Sequence, residues 1–158
     1  MIRILVAIVL VSASAVPVLR AQEMSKATQT LLEAENLGGL RLDLSEKDTL
    51  KLLGKPSKQG KLVKQEADGT YVQNWHFPAK GIDLTMTTGG TKTGAKRIVN
   101  ITAFAPCALA TKLGLKIGSP ESAVRKAYAA HVGRDSPAEP GTFIVGSIYG
   151  GLIFDFEK

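Results

Sequence analysis

The residue types best suited to chemistry near neutral pH are scarce in this chain, which has two histidines and one cysteine among 158 residues. A general base, a nucleophile or a metal ligand works only when partners converge on it. His76 lies in a stretch favouring pleated structure and His131 at the end of a helical pattern, and no compact set of carboxylates or cysteines accompanies either. Cys107 with a histidine is a match of composition alone. Gly89 to Lys96 has the look of a phosphate loop, but Ala95 stands where the lysine should follow the second glycine, and strand patterns rather than a helix come next. A hairpin loop is the better reading. Asn100-Ile101-Thr102 spells a glycosylation sequon, yet it falls inside a strand pattern. The expectation is a non-enzyme, with no catalytic residue, no cofactor and no metal.

What remains is binding. Ile82, Leu84 and Met86 alternate with Asp83, Thr85 and Thr87, the pattern of a strand with one buried and one wet face. Asn74 and His76 join the same wet face from the preceding strand, so Asn74, His76, Asp83, Thr85 and Thr87 are candidate partner-binding residues. Gly89, Gly90 and Lys92, in the loop beyond, complete the set. Trp75 and Phe77 are then assigned to the core. The opposite assignment, an exposed aromatic patch of Tyr71, Trp75 and Phe77, would suit an interface because aromatic anchors concentrate binding energy. Burial decides between the two.

The elements that position these residues follow from caps, breakers and periodicity. Ser25 caps a helix through Leu31, Leu32 and Ala34 that stops at Gly38-Gly39. Ser45-Glu46-Lys47-Asp48 has capping-box spacing and opens a second helix with Leu50, Leu52 and Leu53 as its apolar residues, ended by Gly54 and Pro56. From residue 61 to 104 the period changes to that of strands. A short strand at Leu62-Val63, a hairpin at Asp68-Gly69, a strand to Phe77, a turn at Pro78 to Gly81, and strands at 82 onward and at Ile98 to Phe104 make an antiparallel meander. Val99, Ile101 and Ala103 are the expected buried set of the last strand. A third helix starts at Ser119 as cap, with Pro120 at its first position, Ala123, Val124, Ala127, Tyr128 and His131 at helical spacing and Gly133 beyond its end. Phe143 to Ile148 and Leu152 to Phe156 read as two more strands joined through Gly150-Gly151. The fold class is α+β, with short helices packed on an antiparallel sheet.

The first 21 residues read as a leader. Arg3 supplies a positive start, Ile4 to Val11 an apolar run shorter than a spanning helix needs, and Ser12 to Ala15 the small residues before cleavage. Cleavage after Ala21 is slightly preferred to cleavage after Ala15, because Pro17 follows the latter. No cysteine lies there to carry a lipid, so the expectation is a periplasmic or secreted, non-lipidated protein without a transmembrane segment. Losing Arg3 and Arg20 lowers the formal charge from +6 to +4. About 137 residues remain, enough for one domain that folds without staples. Cys107 cannot form an intramolecular disulfide; a buried inert thiol and pairing between chains both remain open. Lys47, Lys51, Lys55, Lys58, Lys61 and Lys64 crowd one region, which suits a solvated face or peripheral contact with an anionic membrane or acidic protein. Export and the lack of aromatics among these lysines argue against nucleic acid.

A weak echo runs through the chain. Gly39 to Leu42 matches Gly114 to Ile117, Ser45, Leu50 and Lys51 match Ser119, Val124 and Arg125, and Gly81 to Leu84 matches Gly151 to Phe154. This divides the chain into a leader at 1–21, a helix-plus-four-strand unit at 22–106 and a second, truncated helix-plus-two-strand unit at 107–158, an incomplete tandem duplication. Gly39 to Leu42 followed by Ser45 to Pro56 resembles the helical segment of the SmpA/OmlA-type outer-membrane-assembly lipoproteins, and Trp75 with Gly81 to Leu84 is similar to that family's strands. The related β-lactamase-inhibitor-protein fold repeats such a unit in tandem. The resemblance implies architecture, export and a binding role and carries over no functional residue; the lipidated cysteine of the assembly lipoproteins is absent here. Together these readings point to an exported binding or scaffold module that contacts another protein of the bacterial cell envelope. The alternative is a small periplasmic enzyme inhibitor or immunity protein acting through a projecting loop at Gly89 to Gly94.

Overall fold

Side-chain caps set the helix boundaries in the computed structural model, which describes residues 3–8 and 24–156. Ser25 Oγ accepts the Thr28 amide at 3.2 Å and opens α1 (Lys26–Ala34). This helix ends short of the expected glycines, because Glu35 is already extended and its carboxylate is held elsewhere. Ser45 Oγ accepts the Asp48 amide at 3.2 Å and donates to Asp48 Oδ2 at 2.8 Å, a side-chain cap at the start of α2 (Glu46–Leu53). Gly54, with φ 75°, terminates it. Leu53 faces the core as expected, but Leu52 is 49% exposed; Thr49, fully buried, takes the inward place one turn earlier. The third helix, α3 (Glu121–Ala127), departs further from expectation. Pro120 is its cap residue, and the Ser119 hydroxyl accepts the Lys116 amide at 3.0 Å instead of capping. The proline ring holds the backbone in the geometry a first turn needs, and Glu121 and Arg125 complement the helix dipole.

The strands are β1 (Arg3–Ile8), β2 (Lys58–Gln59), β3 (Val63–Lys64), β4 (Tyr71–Phe77), β5 (Ile82–Gly89), β6 (Arg97–Ala103), β7 (Thr142–Ser147) and β8 (Gly150–Asp155). They form one antiparallel sheet in the order β2-β4-β5-β6-β1-β8-β7, with β3 also on β4. The fold is therefore α+β, and the β4-β5-β6 meander stands where the hydrophobic alternation places it. Gly81 makes the β4–β5 turn in the left-handed region, and a Cβ there would lie 2.1 Å from the Phe104 carbonyl oxygen, so no other residue fits without moving β6's exit.

One strand face differs from the alternation. Thr85 pairs with Asn100 but Met86 pairs with Ile98, so Val99 is an extra residue opposite the β5 ladder. The bulge turns Ile98 inward along with Ile101 and Ala103 and leaves Val99 only half-buried, correcting the expected Val99, Ile101, Ala103 set.

The core is continuous across both halves of the chain. Trp75, Ile82, Leu84, Met86 and Ile101 from the meander pack in one cluster with Leu32 of α1, Leu53 of α2, Val124 of α3, and Phe143, Leu152 and Phe154 of β7 and β8. Tyr128 stacks on Phe154 with centroids 5.4 Å apart. The loops that carry the sequence echo lie side by side: Leu37 bridges Thr111, and the Gly38 amide donates to the Ala110 carbonyl at 2.9 Å.

Part of the expected leader is a strand here. β1 pairs antiparallel with β6 on one side and β8 on the other, with Val6 in register with Ile101 and Leu152. The rest of the expected leader, with both candidate cleavage points, lies outside the described residues. Among those described, no helix is long and apolar enough to cross a membrane.

Candidate functional site

The candidate residues of β4 and β5 lie on one face of the sheet. Ladder pairing places His76 opposite Asp83, Asn74 opposite Thr85 and Val72 opposite Thr87. His76 Nδ1 and Asp83 Oδ1 lie 3.0 Å apart. The Thr85 hydroxyl donates to Asn74 Oδ1 at 3.2 Å, and the Thr87 hydroxyl donates to the Tyr71 carbonyl at 3.0 Å. Asn74 is exposed and the others half-buried, whereas the three helices pack their apolar side chains into the cluster on the opposite face. The physical cause is the period of two: with Trp75, Ile82, Leu84 and Met86 inward, their neighbours in sequence have only the other face to occupy.

Trp75 belongs to the core, fully buried, as does Phe77. Its indole N–H donates to Gln73 Oε1 at 2.9 Å, and Gln73 Nε2 donates to the Gly60 carbonyl at 2.8 Å, so the aromatic ring is inward without an orphaned donor. An exposed patch of Tyr71, Trp75 and Phe77 does not form.

Neighbouring strands widen the polar face. Lys58 of β2 pairs with His76 and Val63 of β3 with Val72, while Thr102 and Asn100 of β6 lie opposite Asp83 and Thr85. Sequence reasoning missed Lys58 because a two-residue strand carries no periodic signal, and it treated Asn100 only as a sequon letter. Asn100 Oδ1 is buried with no hydrogen-bond partner among the described residues. Gly89, Gly90 and Lys92 lie at the rim, in the β5–β6 hairpin loop. Gly90 and Lys92 are exposed, with Lys92 Nζ 5.8 Å from the centroid of the Tyr71 ring. The six clustered lysines from Lys47 to Lys64 are all exposed along α2, β2 and β3.

A second polar group emerged only in three dimensions. The carboxylate of Glu35, a residue 8% exposed, accepts the Asn36 amide at 2.9 Å, the Lys112 amide at 2.6 Å and the Tyr128 hydroxyl at 2.8 Å. It ties the end of α1 to the loop before α3 and to Tyr128, the residue that ends α3. Burial, with the Glu35 carboxylate alongside, raises the Tyr128 phenol well above its usual range. These bonds are structural, since every donor comes from the protein's own packing.

The remaining chemistry-bearing side chains stay apart. His131 Nδ1 lies 3.0 Å from Thr28 Oγ1 of α1. Cys107 is a free thiol, 5% exposed, and burial pushes it up from its ordinary pKa. Among the described residues no three His, Cys, Asp or Glu side chains group to hold a metal ion. Neither a family model, nor a curated protein, nor a solved structure matches this chain.

Proposed function

We propose that the mature protein is an exported, non-enzymatic binding or scaffold module that contacts another cell-envelope protein through the polar face of β4 and β5. The observation that carries this reading is the segregation of the sheet: helices and core on one side, and on the other a rigid row of Asn74, His76, Asp83 and Thr85 held in register by ladder bonds. A rigid polar surface loses little entropy on docking and offers directional hydrogen bonds. The leader-like first residues support export, and the exposed lysines from Lys47 to Lys64 add a positive flank that favours an acidic partner or anionic headgroups alongside it. The adjacent echo loops and the alike placement of Ile82 and Leu84 with Leu152 and Phe154, all buried, support a tandem duplication of the kind seen in the inhibitor fold.

The runner-up is an enzyme inhibitor or immunity protein. Its support is the β5–β6 loop, whose exposed Gly90 to Thr93 project beyond the sheet while the Thr88 hydroxyl donates to the Thr91 carbonyl and stiffens it. Native, unreduced affinity capture from envelope extracts separates the two: a stoichiometric assembly component favours the scaffold, and a single hydrolytic enzyme favours inhibition. Asn74→Ala with Thr85→Glu, which removes two hydrogen-bonding groups and adds a charge that repels an acidic partner, should weaken a scaffold contact by about 30-fold, with far-UV circular dichroism unchanged. Unaltered capture by that double variant would rule out the β4–β5 face.

A further inference from the structure

Within residues 107–158 the second unit has no strand that matches β6, and the place of that strand is occupied. By the sequence echo β8 corresponds to β5 and β7 to β4. Beside β5 the first unit has β6; beside β8 the equivalent place is held by β1, antiparallel to β8 as β6 is to β5. β6 and β8 therefore run parallel to each other and face one another across a gap one strand wide, about 10 Å. Neither can complete the antiparallel ladder with the other.

We infer that this gap is a strand-acceptor site: in the protein with residues 1–21 removed, it takes an extended apolar segment of an envelope-protein partner, running antiparallel to both β6 and β8. The inference rests on the export reading above. Three observations define the occupant. The gap is filled here by the extended backbone of Arg3 to Ile8, a segment whose last five residues are Ile, Leu, Val, Ala and Ile. Residues of both walls, Ile101 and Leu152, line one cleft together with Leu37 and Leu40 beneath. At the mouth, where Ile8 pairs with Gly150, Ile148 and Tyr149 stand 42% and 71% exposed. An exposed aromatic beside an unpaired backbone edge is what recognition by strand addition uses, with main-chain bonds for affinity and side-chain anchors for choice of partner.

The test uses protein exported to and purified from the periplasm, with its N-terminus read by intact mass. Retention of Arg3 to Ile8 would show that the leader is not removed, make β1 a resident strand and overturn the acceptor site. If the leader is gone, the protein is titrated with a synthetic peptide of the Arg3 to Ile8 sequence between solubilising lysines, and backbone hydrogen exchange is followed. Saturable slowing of exchange by at least about tenfold in β6 and β8, and not in β2 or β7, is expected, with no effect from a peptide carrying Val6→Pro. Amides of β6 and β8 already protected and indifferent to the peptide, protection at the outer edges instead, or a dimer that fills the gap with a second copy would each overturn it. Should the cleaved protein be unfolded alone, recovery of its far-UV spectrum on adding the peptide supports the site, and failure to recover overturns it.

Discussion

At the scale of single residues, the most consequential side chain is one that composition does not advertise. Glu35 is one carboxylate among fourteen acidic residues, yet it alone gathers two amides and a phenol in a nearly buried setting. Glu35→Ala leaves those three donors without a partner and should cost about 3 kcal/mol, whereas Tyr128→Phe removes one donor and leaves the carboxylate with two, costing about 1 kcal/mol. Urea unfolding of the two variants measures the difference. The pH dependence has a definite sign. Tyr128 has a folded pKa raised above its unfolded value, so its contribution is full below the usual phenol range and is lost as pH rises through and beyond it. Alkaline titration should show a phenolate absorbance step coincident with loss of structure, and Tyr128→Phe should remove that step. None of this was legible in the sequence, because Glu35 follows a helix end whose partners, Lys112 and Tyr128, are 77 and 93 residues away.

At the scale of elements, local signals performed well where the chemistry is local. The Ser45 cap, the Gly54 stop and the Gly81 turn each depend on contacts within a few residues and each stands where the residue types place it. Ser45→Ala should destabilise by about 1 kcal/mol through loss of the α2 cap, measurable as a lower urea midpoint at unchanged slope. Asp48 is held below the usual carboxylate range by the Lys51 ammonium first and the Ser45 hydroxyl second. Its stabilising effect is therefore present above the ordinary carboxylate pKa and fades as pH falls below it, and Ser45→Ala should raise its midpoint in an NMR titration. Failures came where a partner strand intervened. The bulge at Val99 shifts which residues of β6 face inward, and nothing in Ile98 to Ala103 announces it, because a bulge is a property of two strands rather than one. Ser119 lost its capping role to a competing local contact, its hydroxyl accepting the Lys116 amide instead.

At the scale of the whole molecule, the two halves share one sheet and one core. The cluster that contains Trp75 also contains Val124 and Phe154, and Glu35 crosses between the halves. Shared burial of this kind couples their stabilities, so a single cooperative transition is expected. Hydrogen exchange under increasing urea should show the amides of β4 to β6 and of β7 to β8 opening with the same free energy; separate openings would show that the halves are independent units. The lysine-rich flank should act at this scale too, since a summed field rather than any one charge sets attraction to an acidic partner.

The sequence by itself determined the α+β class, the starts of α1 and α2, the meander and the two faces of β4 and β5, because each follows from periodicity and caps acting over a few residues. It also placed Asn74, His76, Asp83, Thr85 and Thr87 together, since strands of period two leave no other choice once Trp75 and Leu84 are buried. Only the tertiary structure decided that Trp75 is core, that Lys58 and Asn100 join the polar face, and that Arg3 to Ile8 can stand between β6 and β8. Those outcomes depend on which distant segments meet, and long-range pairing is settled by burial of the whole chain rather than by any residue's own preference.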